Sequence, residues 1–414
     1  MAHGALHYPI VAIEGSSVID VVLHSGRDRS LRRRHPWVLS GAVDRVSELP
    51  GGSTGGWARV SSAEGEVLGY GDYSGNSALR VRMLCFGKDE PRSDLIQARL
   101  SAAIEARRTH PLLANTDAVR LVNAEGDGLP GLVVDRYADA LVVKFASSGM
   151  AARREEIAHG LKELSHARLG YERADPTLSR REGMSVQQGP LWGTPPSGPV
   201  EIDERGRRFW VDLSAGQKTG FYLDQRDHRD LVQLLSSGRR VLDLFAYTGG
   251  FSVAAAAGGA RAVTLVESSP SALEVANANL ETNRVDCEVE CVRADAFRYL
   301  RPGKGPDHRE GSFDLLVIDP PPLARRKRDV GRAARAYKDL LLFALRAASP
   351  DALILAFACS HHVGPELFRK ICFGASLDAG RPLKVLRELG APADHPVALD
   401  HPEGVYLKGL LLQV

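Results

Sequence analysis

Four carboxylates and one thiol recur through the second half of the chain, each closing an apolar run: Asp243, Glu267, Asp295, Asp319 and Cys359. Carboxylates at the ends of strands accept hydrogen bonds from the hydroxyl and amino groups of a bound nucleoside. A thiol in such a place is a candidate nucleophile, with a reactivity set by its thiolate fraction. Asp243 opens a turn within residues 241–256, VLDLFAYTGGFSVAAA, followed by Phe245, Tyr247, Thr248 and the glycine pair Gly249 and Gly250. The turn is not G-x-G-x-x-G, which disfavours a nicotinamide dinucleotide, and the chain has no G-x-x-x-x-G-K-[ST] phosphate cradle. A cofactor with an adenosine and no phosphates remains, and S-adenosylmethionine (SAM) fits. Glu267, about twenty residues on, is placed to accept from ribose hydroxyls, and Asp295 to meet the adenine amino group. Asp319 leads into Pro320, Pro321 and Pro322, which stiffen a loop able to hold a flat substrate.

Any one of these acids reads equally as a helix N-cap or a turn residue. Their succession at strand–helix spacing is what points to a cofactor site. Cys359 taken alone reads equally as a buried structural cysteine. His361 and His362 read as polar loop residues ahead of a catalytic base.

The elements that must position these groups alternate. Strands are expected at 241–245, 262–267, 289–294, 313–319 and 352–358, and helices at 250–257, 271–283, 333–348 and 365–379. Alternation of this kind predicts a mostly parallel sheet with ligands at its carboxyl ends. The last two strands, 383–389 and 404–412, have no helix between them, so the final strand should run antiparallel at or near the sheet edge. Upstream, residues 1–16 read as a leader. Short strands at 18–23, 35–39, 57–60, 67–73 and 78–85 form a small β-rich module, with a long turn at 47–56. An amphipathic helix at 92–109, strands at 119–123, 131–135 and 140–145, and a helix near 151–164 follow. The Pro/Gly-rich stretch 189–200, GPLWGTPPSGPV, reads as a linker. The expected domains are 17–90, 91–196 and 197–414.

At 414 residues the chain has room for two or three cores, and its net charge of +2 says little about partners. Charge is instead concentrated at 27–35, RDRSLRRRH, and 324–335, ARRKRDVGRAAR. Each run reads as a solvated face or a phosphate-binding patch. Five scattered cysteines favour a reducing cytoplasm over a disulfide framework. Cys287 and Cys291 lack a second Cys/His pair at zinc spacing, so no metal is expected. Apart from Cys359, the cysteines read as core. MAHGALHYPIVAIEG lacks the pattern of a signal peptide, and no apolar run approaches a membrane span, so no membrane partner is expected.

Several blocks in one order resemble the ribosomal RNA large-subunit methyltransferase I family: SLRRRHPWVLSGAV at 30–43, RLVNAEGDGLPGLVVDRY at 120–137, GQKTGFYLDQRDHR at 216–229, LDLFAYTGGFS, VIDPP, FACSHH, and ADHPV with HPEGVYLKG near the end. The resemblance implies an α/β fold with a C-terminal Rossmann-like class I methyltransferase domain, a central α/β domain and a small N-terminal β-rich PUA domain. It implies SAM-dependent methylation of C5 of a cytosine in 23S ribosomal RNA, with Cys359 as nucleophile, Asp319 hydrogen-bonding the base near N3, and a homodimer. It assigns the cofactor site to residues 243–251, Glu267, Asp295 and Asp319, with Lys218, Phe221 and Gln225 as further lining residues. Arg32, Arg33, Arg34, Pro320 and Lys327 become RNA contacts. Trp37 could stack on a base or pack in the β module. Similar proteins often carry Lys where this chain has Pro322. Two other readings stay open: a guanine-directed ribosomal RNA methyltransferase of similar fold, and a non-catalytic RNA-binding assembly factor.

Overall fold

Three largely buried strands, Arg240–Leu244, Phe313–Ile318 and Ala348–Ala358, lie side by side at the centre of a seven-stranded sheet. Strands buried on both faces carry long apolar runs, as in LLVI of the second and ALILAFA of the third. The order across the sheet is Glu288–Arg293, Ala262–Glu267, Arg240–Leu244, Phe313–Ile318, Ala348–Ala358, Lys408–Gln413 and Lys384–Leu389. Only Lys408–Gln413 runs antiparallel to its neighbours, one place in from the edge. This matches the expectation for the final strand. The computed structural model describes residues 18–47, 55–301, 311–324 and 326–414. The expected leader at 1–16, most of the 47–56 turn and Arg325 of the second basic run lie outside the described residues.

Side chains alternate across the sheet. Leu242, Leu316, Ile318 and Ile354 point into one apolar cluster, whereas Val241, Leu315, Val317 and Leu355 point into a second on the opposite face. Helix Val330–Ala347 closes the first with Ala333, Tyr337, Leu340, Leu341 and Ala344, an i, i+4, i+7 stripe. Helix Pro270–Thr282 starts cleanly because Pro270 follows Ser269, whose hydroxyl accepts from the Ala272 N–H at 3.3 Å. Cys291 does not belong to a core. It lies on Glu288–Arg293, an outermost strand with an EVECVR sequence, and is exposed.

Two compact units are present. One comprises the described parts of residues 1–200 with Asp212–Phe221 and Ala393–Gly404; the other comprises Glu201–Val211, Tyr222–Pro392 and Val405–Val414. The expected segments 17–90 and 91–196 thus share one unit, and two stretches of the expected third segment fold with them. That unit holds a six-stranded sheet, which includes Gly55–Ser61, Val67–Ser74 and Leu79–Phe86, and a five-stranded sheet built around Leu132–Tyr137 and Ala140–Phe145. The linker reading of 189–200 fails at its start. Gly189–Trp192 is an edge strand pairing antiparallel with Leu169–Glu172, and Trp192 Nε1 donates to the Ala167 carbonyl at 3.0 Å. Its Pro and Gly are compatible with a strand because the edge needs no second partner. Ala393–Gly404 joins this unit through the glycine-rich loop: Asn123 Nδ2 donates to the Pro396 carbonyl at 2.9 Å, and a Cβ on Gly126 would lie 2.0 Å from that same oxygen.

The second unit also contains a hairpin, Val200–Glu204 (from Glu201 on) with Arg207–Val211, and a helix, Arg226–Leu235, neither of them among the expected elements. Both are fastened by one buried carboxylate. Glu204 receives a two-pronged bond from Arg229 at 2.6 and 2.7 Å, with Arg207 Nη2 at 3.2 Å and Arg226 Nε at 3.7 Å. Burial alone would raise this carboxyl, but the facing arginines, Arg229 foremost, hold it at about 2. Removing one partner of such a buried set costs roughly 3–5 kcal/mol. Glu204→Gln should lower the urea-unfolding free energy by that order. The wild-type contribution should persist above the ordinary carboxylate range and fade only as pH falls towards 2.

Candidate active site

The turn after Arg240–Leu244 is held in a conformation that its side chains disfavour. Phe245 (φ +63°), Tyr247 (φ +51°) and Gly249 (φ +76°) are all left-handed. For the two aromatic residues this is strained backbone, of a kind that persists only where neighbours impose it. Glu267 does so: its Oε2 accepts from the Tyr247 N–H at 3.0 Å, and its Oε1 from the N–H groups of Ser268 and Ser269 at 2.7 and 2.8 Å. The Ala246 N–H reaches the Val266 carbonyl at 3.2 Å.

At this turn two buried polar atoms, Asp243 Oδ1 and Thr248 Oγ1, have no hydrogen-bond partner among the described residues. Asp243 is 1% exposed, and its other oxygen accepts from Ser252 Oγ at 2.7 Å. Burial pushes its carboxyl up to about 7. Unpaired buried polar atoms are costly. Their position here suits a ligand bearing hydrogen-bond donors and positive charge, and SAM carries both. Asp295 behaves differently. It is exposed, and its side chain accepts from the Arg298 N–H at 3.0 Å, capping the short helix Ala296–Tyr299.

Asp319 and Cys359 follow neighbouring parallel strands in which Ile318 pairs with Ala356. That register brings the two side chains together: Cys359 Sγ donates to Asp319 Oδ1 at 3.6 Å. Asp319 Oδ2 accepts from Gln225 Nε2 at 2.8 Å. Cys359 is half-buried. Just beyond it, Lys408 Nζ donates to the carbonyls of Ser360 and Tyr406 at 2.8 and 2.7 Å, pinning the loop. The Tyr222 ring meets the Tyr247 ring edge-on with centroids 5.4 Å apart, and burial, then Asp319, push its hydroxyl far above the usual range. Sequence reasoning missed Tyr222 and Lys408. Both lie in blocks that carry the family resemblance, yet neither residue type announces a role.

Phe221 is buried in the first unit, where its N–H donates to Tyr137 Oη at 3.2 Å, and Lys218 folds with the same unit. Arg32 is engaged by Asp28 and Glu66, both at 2.6 Å. Arg33 and Arg34 are exposed, and the Arg34 guanidinium lies 5.9 Å from the Phe86 ring centre. Trp37 packs within its unit, with Nε1 donating to Glu125 at 2.8 Å and its ring 4.5 Å from His401. Pro320 is buried, Lys327 is exposed, and His361 and His362 sit exposed in a turn.

A carboxyl whose pKa is higher folded than unfolded stabilises the fold at low pH, and that contribution is lost as pH rises through the folded value, here about 7. Without ligand, Asp243→Asn should therefore melt above wild type at pH 8, and the gap should narrow towards pH 5. Calorimetry on the same variant should show SAM binding weakened by at least about tenfold, the loss expected for one charge-assisted hydrogen bond.

A family described as S-adenosylmethionine-dependent methyltransferase matches residues 189–405, and a PUA-like domain matches residues 21–86. The ribosomal RNA large subunit methyltransferase I of Aeromonas salmonicida is 39% identical over 397 residues, covering 95% of this chain and 98% of that protein. The protein of the same name from Pseudoalteromonas translucida is 38% identical over 398 residues, covering 95% and 99%. Among solved structures, a SAM-dependent methyltransferase from Streptococcus mutans superposes with a TM-score of 0.80 at 23% identity, covering 96% of this chain and all of that one. A methyltransferase in complex with S-adenosylhomocysteine gives a TM-score of 0.82 at 24% identity. These two structures share the fold. On the family match and the near full-length relatives, this chain belongs to the SAM-dependent methyltransferases, in the ribosomal RNA large subunit methyltransferase I family with its PUA-like domain.

Proposed function

We propose that the chain methylates C5 of a cytosine in large-subunit (23S) ribosomal RNA, in the cytoplasm, through a covalent bond between Cys359 and C6 of the base. The observation that carries this reading is the thiol–carboxylate pair, 3.6 Å apart at the carboxyl ends of adjacent strands. A ring nitrogen or exocyclic amine of guanine is already nucleophilic and needs no thiol. C5 of cytosine is a poor nucleophile and does. The relatives' printed name supports ribosomal RNA as the carrier, and the PUA-like match supports RNA contact.

Asp243, Thr248, Glu267 and the turn between them would hold SAM, which when bound supplies an electrophilic methyl carbon. Cys359 Sγ passes its proton to Asp319 Oδ1, which it faces at 3.6 Å, and forms a bond to C6. The C5=C6 π pair then moves onto C5, which becomes able to attack. Asp319, once it carries the thiol proton, would donate it towards N3 and so offset the negative charge developing on the ring. After methylation C5 gives its proton to solvent water, the freed electron pair re-forms C5=C6, and Cys359 leaves as the thiolate. A stacked cytosine cannot reach either group, so the base is flipped out or already unpaired. Arg33, Arg34 and Lys327 are exposed and suited to phosphate contacts. Arg32, bound to two carboxylates, is less available.

Cys359→Ser should lower methyl transfer to ribosomal RNA by at least about 10³-fold while leaving SAM binding intact, because a hydroxyl at neutral pH is a far weaker nucleophile than a thiolate. RNA containing 5-fluorocytosine should form a denaturation-resistant complex with wild type and none with the variant, since fluorine at C5 cannot leave as a proton. Undiminished methylation by Cys359→Ser would overturn the mechanism.

A further inference from the structure

We infer that Gln225 is a positioning residue that orients the Asp319 carboxylate, not a ligand of the cofactor, and that His228 in turn orients Gln225. The inference deepens the proposed mechanism and rests on it for the role given to Asp319.

An aspartate side chain does not orient its own carboxylate, because the terminal torsion is broad and two-fold. Something must select which oxygen faces the thiol. Asp319 Oδ2 accepts from Gln225 Nε2 at 2.8 Å, which leaves Oδ1 to face Cys359 Sγ. The direction of the Gln225 amide is settled by its surroundings. In this contact the carboxyl oxygen accepts and the Gln225 NH₂ group donates. Its carbonyl Oε1 then points the other way and meets His228 Nδ1 at 2.5 Å. That oxygen also only accepts, so in this contact His228 Nδ1 is the donor, while the ring also meets the Gly390 backbone. Both side chains are sealed in, with Gln225 2% and His228 3% exposed. Burial pushes His228 down to about 4, so it is neutral near pH 7.

The relay is rigid by construction. Gln225 and His228 are three residues apart at the start of helix Arg226–Leu235, a spacing that puts them on one face. The His228 ring packs on Phe357, 4.8 Å between centroids, in the strand that leads to Cys359. One helix start therefore fixes Asp319 from one side while the strand it packs against delivers the thiol from the other. The Gln225 carbonyl is taken by His228 and one amide N–H by Asp319, which leaves the side chain little to offer a cofactor.

The test separates positioning from cofactor binding. Gln225→Leu removes the donor, whereas Gln225→Glu keeps the shape and packing but faces Asp319 with an acceptor. For both, kcat at saturating SAM on ribosomal RNA from a strain lacking the gene should fall by roughly 10–100-fold, the value of one hydrogen bond to a charged group. SAM Kd, measured by calorimetry, should stay within about threefold, since the inferred bond is to the protein and not to the cofactor. His228→Leu should lose about tenfold in kcat, and His228→Asn, which retains an N–H, should recover most of that loss. A SAM Kd that weakens by more than kcat falls, or a kcat unchanged in both Gln225 variants, would overturn the inference. Methyl transfer surviving in Cys359→Ser would instead strike the cytosine mechanism, and the kcat-against-Kd comparison at Gln225 would remain readable.

Discussion

Parallel pairing of Arg240–Leu244, Ala262–Glu267, Phe313–Ile318 and Ala348–Ala358 is the constraint on which the site depends. Strands that point one way end on one edge of the sheet, so Asp243, Glu267, Asp319 and Cys359 converge although they are far apart in sequence. A parallel sheet requires apolar cover on both faces. The two clusters built on alternating side chains of the same strands supply it. The final antiparallel strand contributes Lys408, which holds the loop beyond Cys359 and whose ammonium pKa is lowered by burial. The same strands thus serve as core and as scaffold.

Two local costs are concentrated at the turn after Arg240–Leu244. The turn carries left-handed Phe245 and Tyr247, and Asp243 is buried with one oxygen unsatisfied. Neither feature improves the stability of the empty protein. Both are sustained by rigid surroundings: Glu267 clamps the turn, and the Glu204–arginine cluster anchors the helix that begins beside Gln225. Strain and an unpaired buried acid, in a turn between a strand and a helix, fit a pocket organised ahead of its ligand.

Much of this was legible in the sequence, for identifiable reasons. Strand–helix alternation has a strong period, so the large sheet and its final antiparallel strand could be read from residues 241 onward. Asp243, Asp319 and Cys359 stood out because polar residues ending apolar runs are conspicuous. Gly189–Trp192 was hidden because Pro and Gly punctuate linkers and edge strands alike. Cys291 was misread as core because its strand turned out to be outermost, which depends on sheet order and not on local pattern. Asp295 could be either cap or ligand, and only geometry reveals the bond to Arg298 N–H. The buried Glu204 cluster and the Gln225–His228 pair join residues with no periodic signature, and long-range polar networks of this kind leave no trace in a single sequence.

The central claim is that a thiol at the end of one strand and a carboxylate at the end of the next make this methyltransferase act on an unreactive pyrimidine carbon. The most direct measurement is bisulfite sequencing of ribosomal RNA from a strain lacking the gene, beside its parent. The account predicts that one 5-methylcytosine in the large-subunit RNA disappears and returns on complementation with the wild-type chain but not with Cys359→Ser. An unchanged 5-methylcytosine pattern in the deleted strain would contradict it.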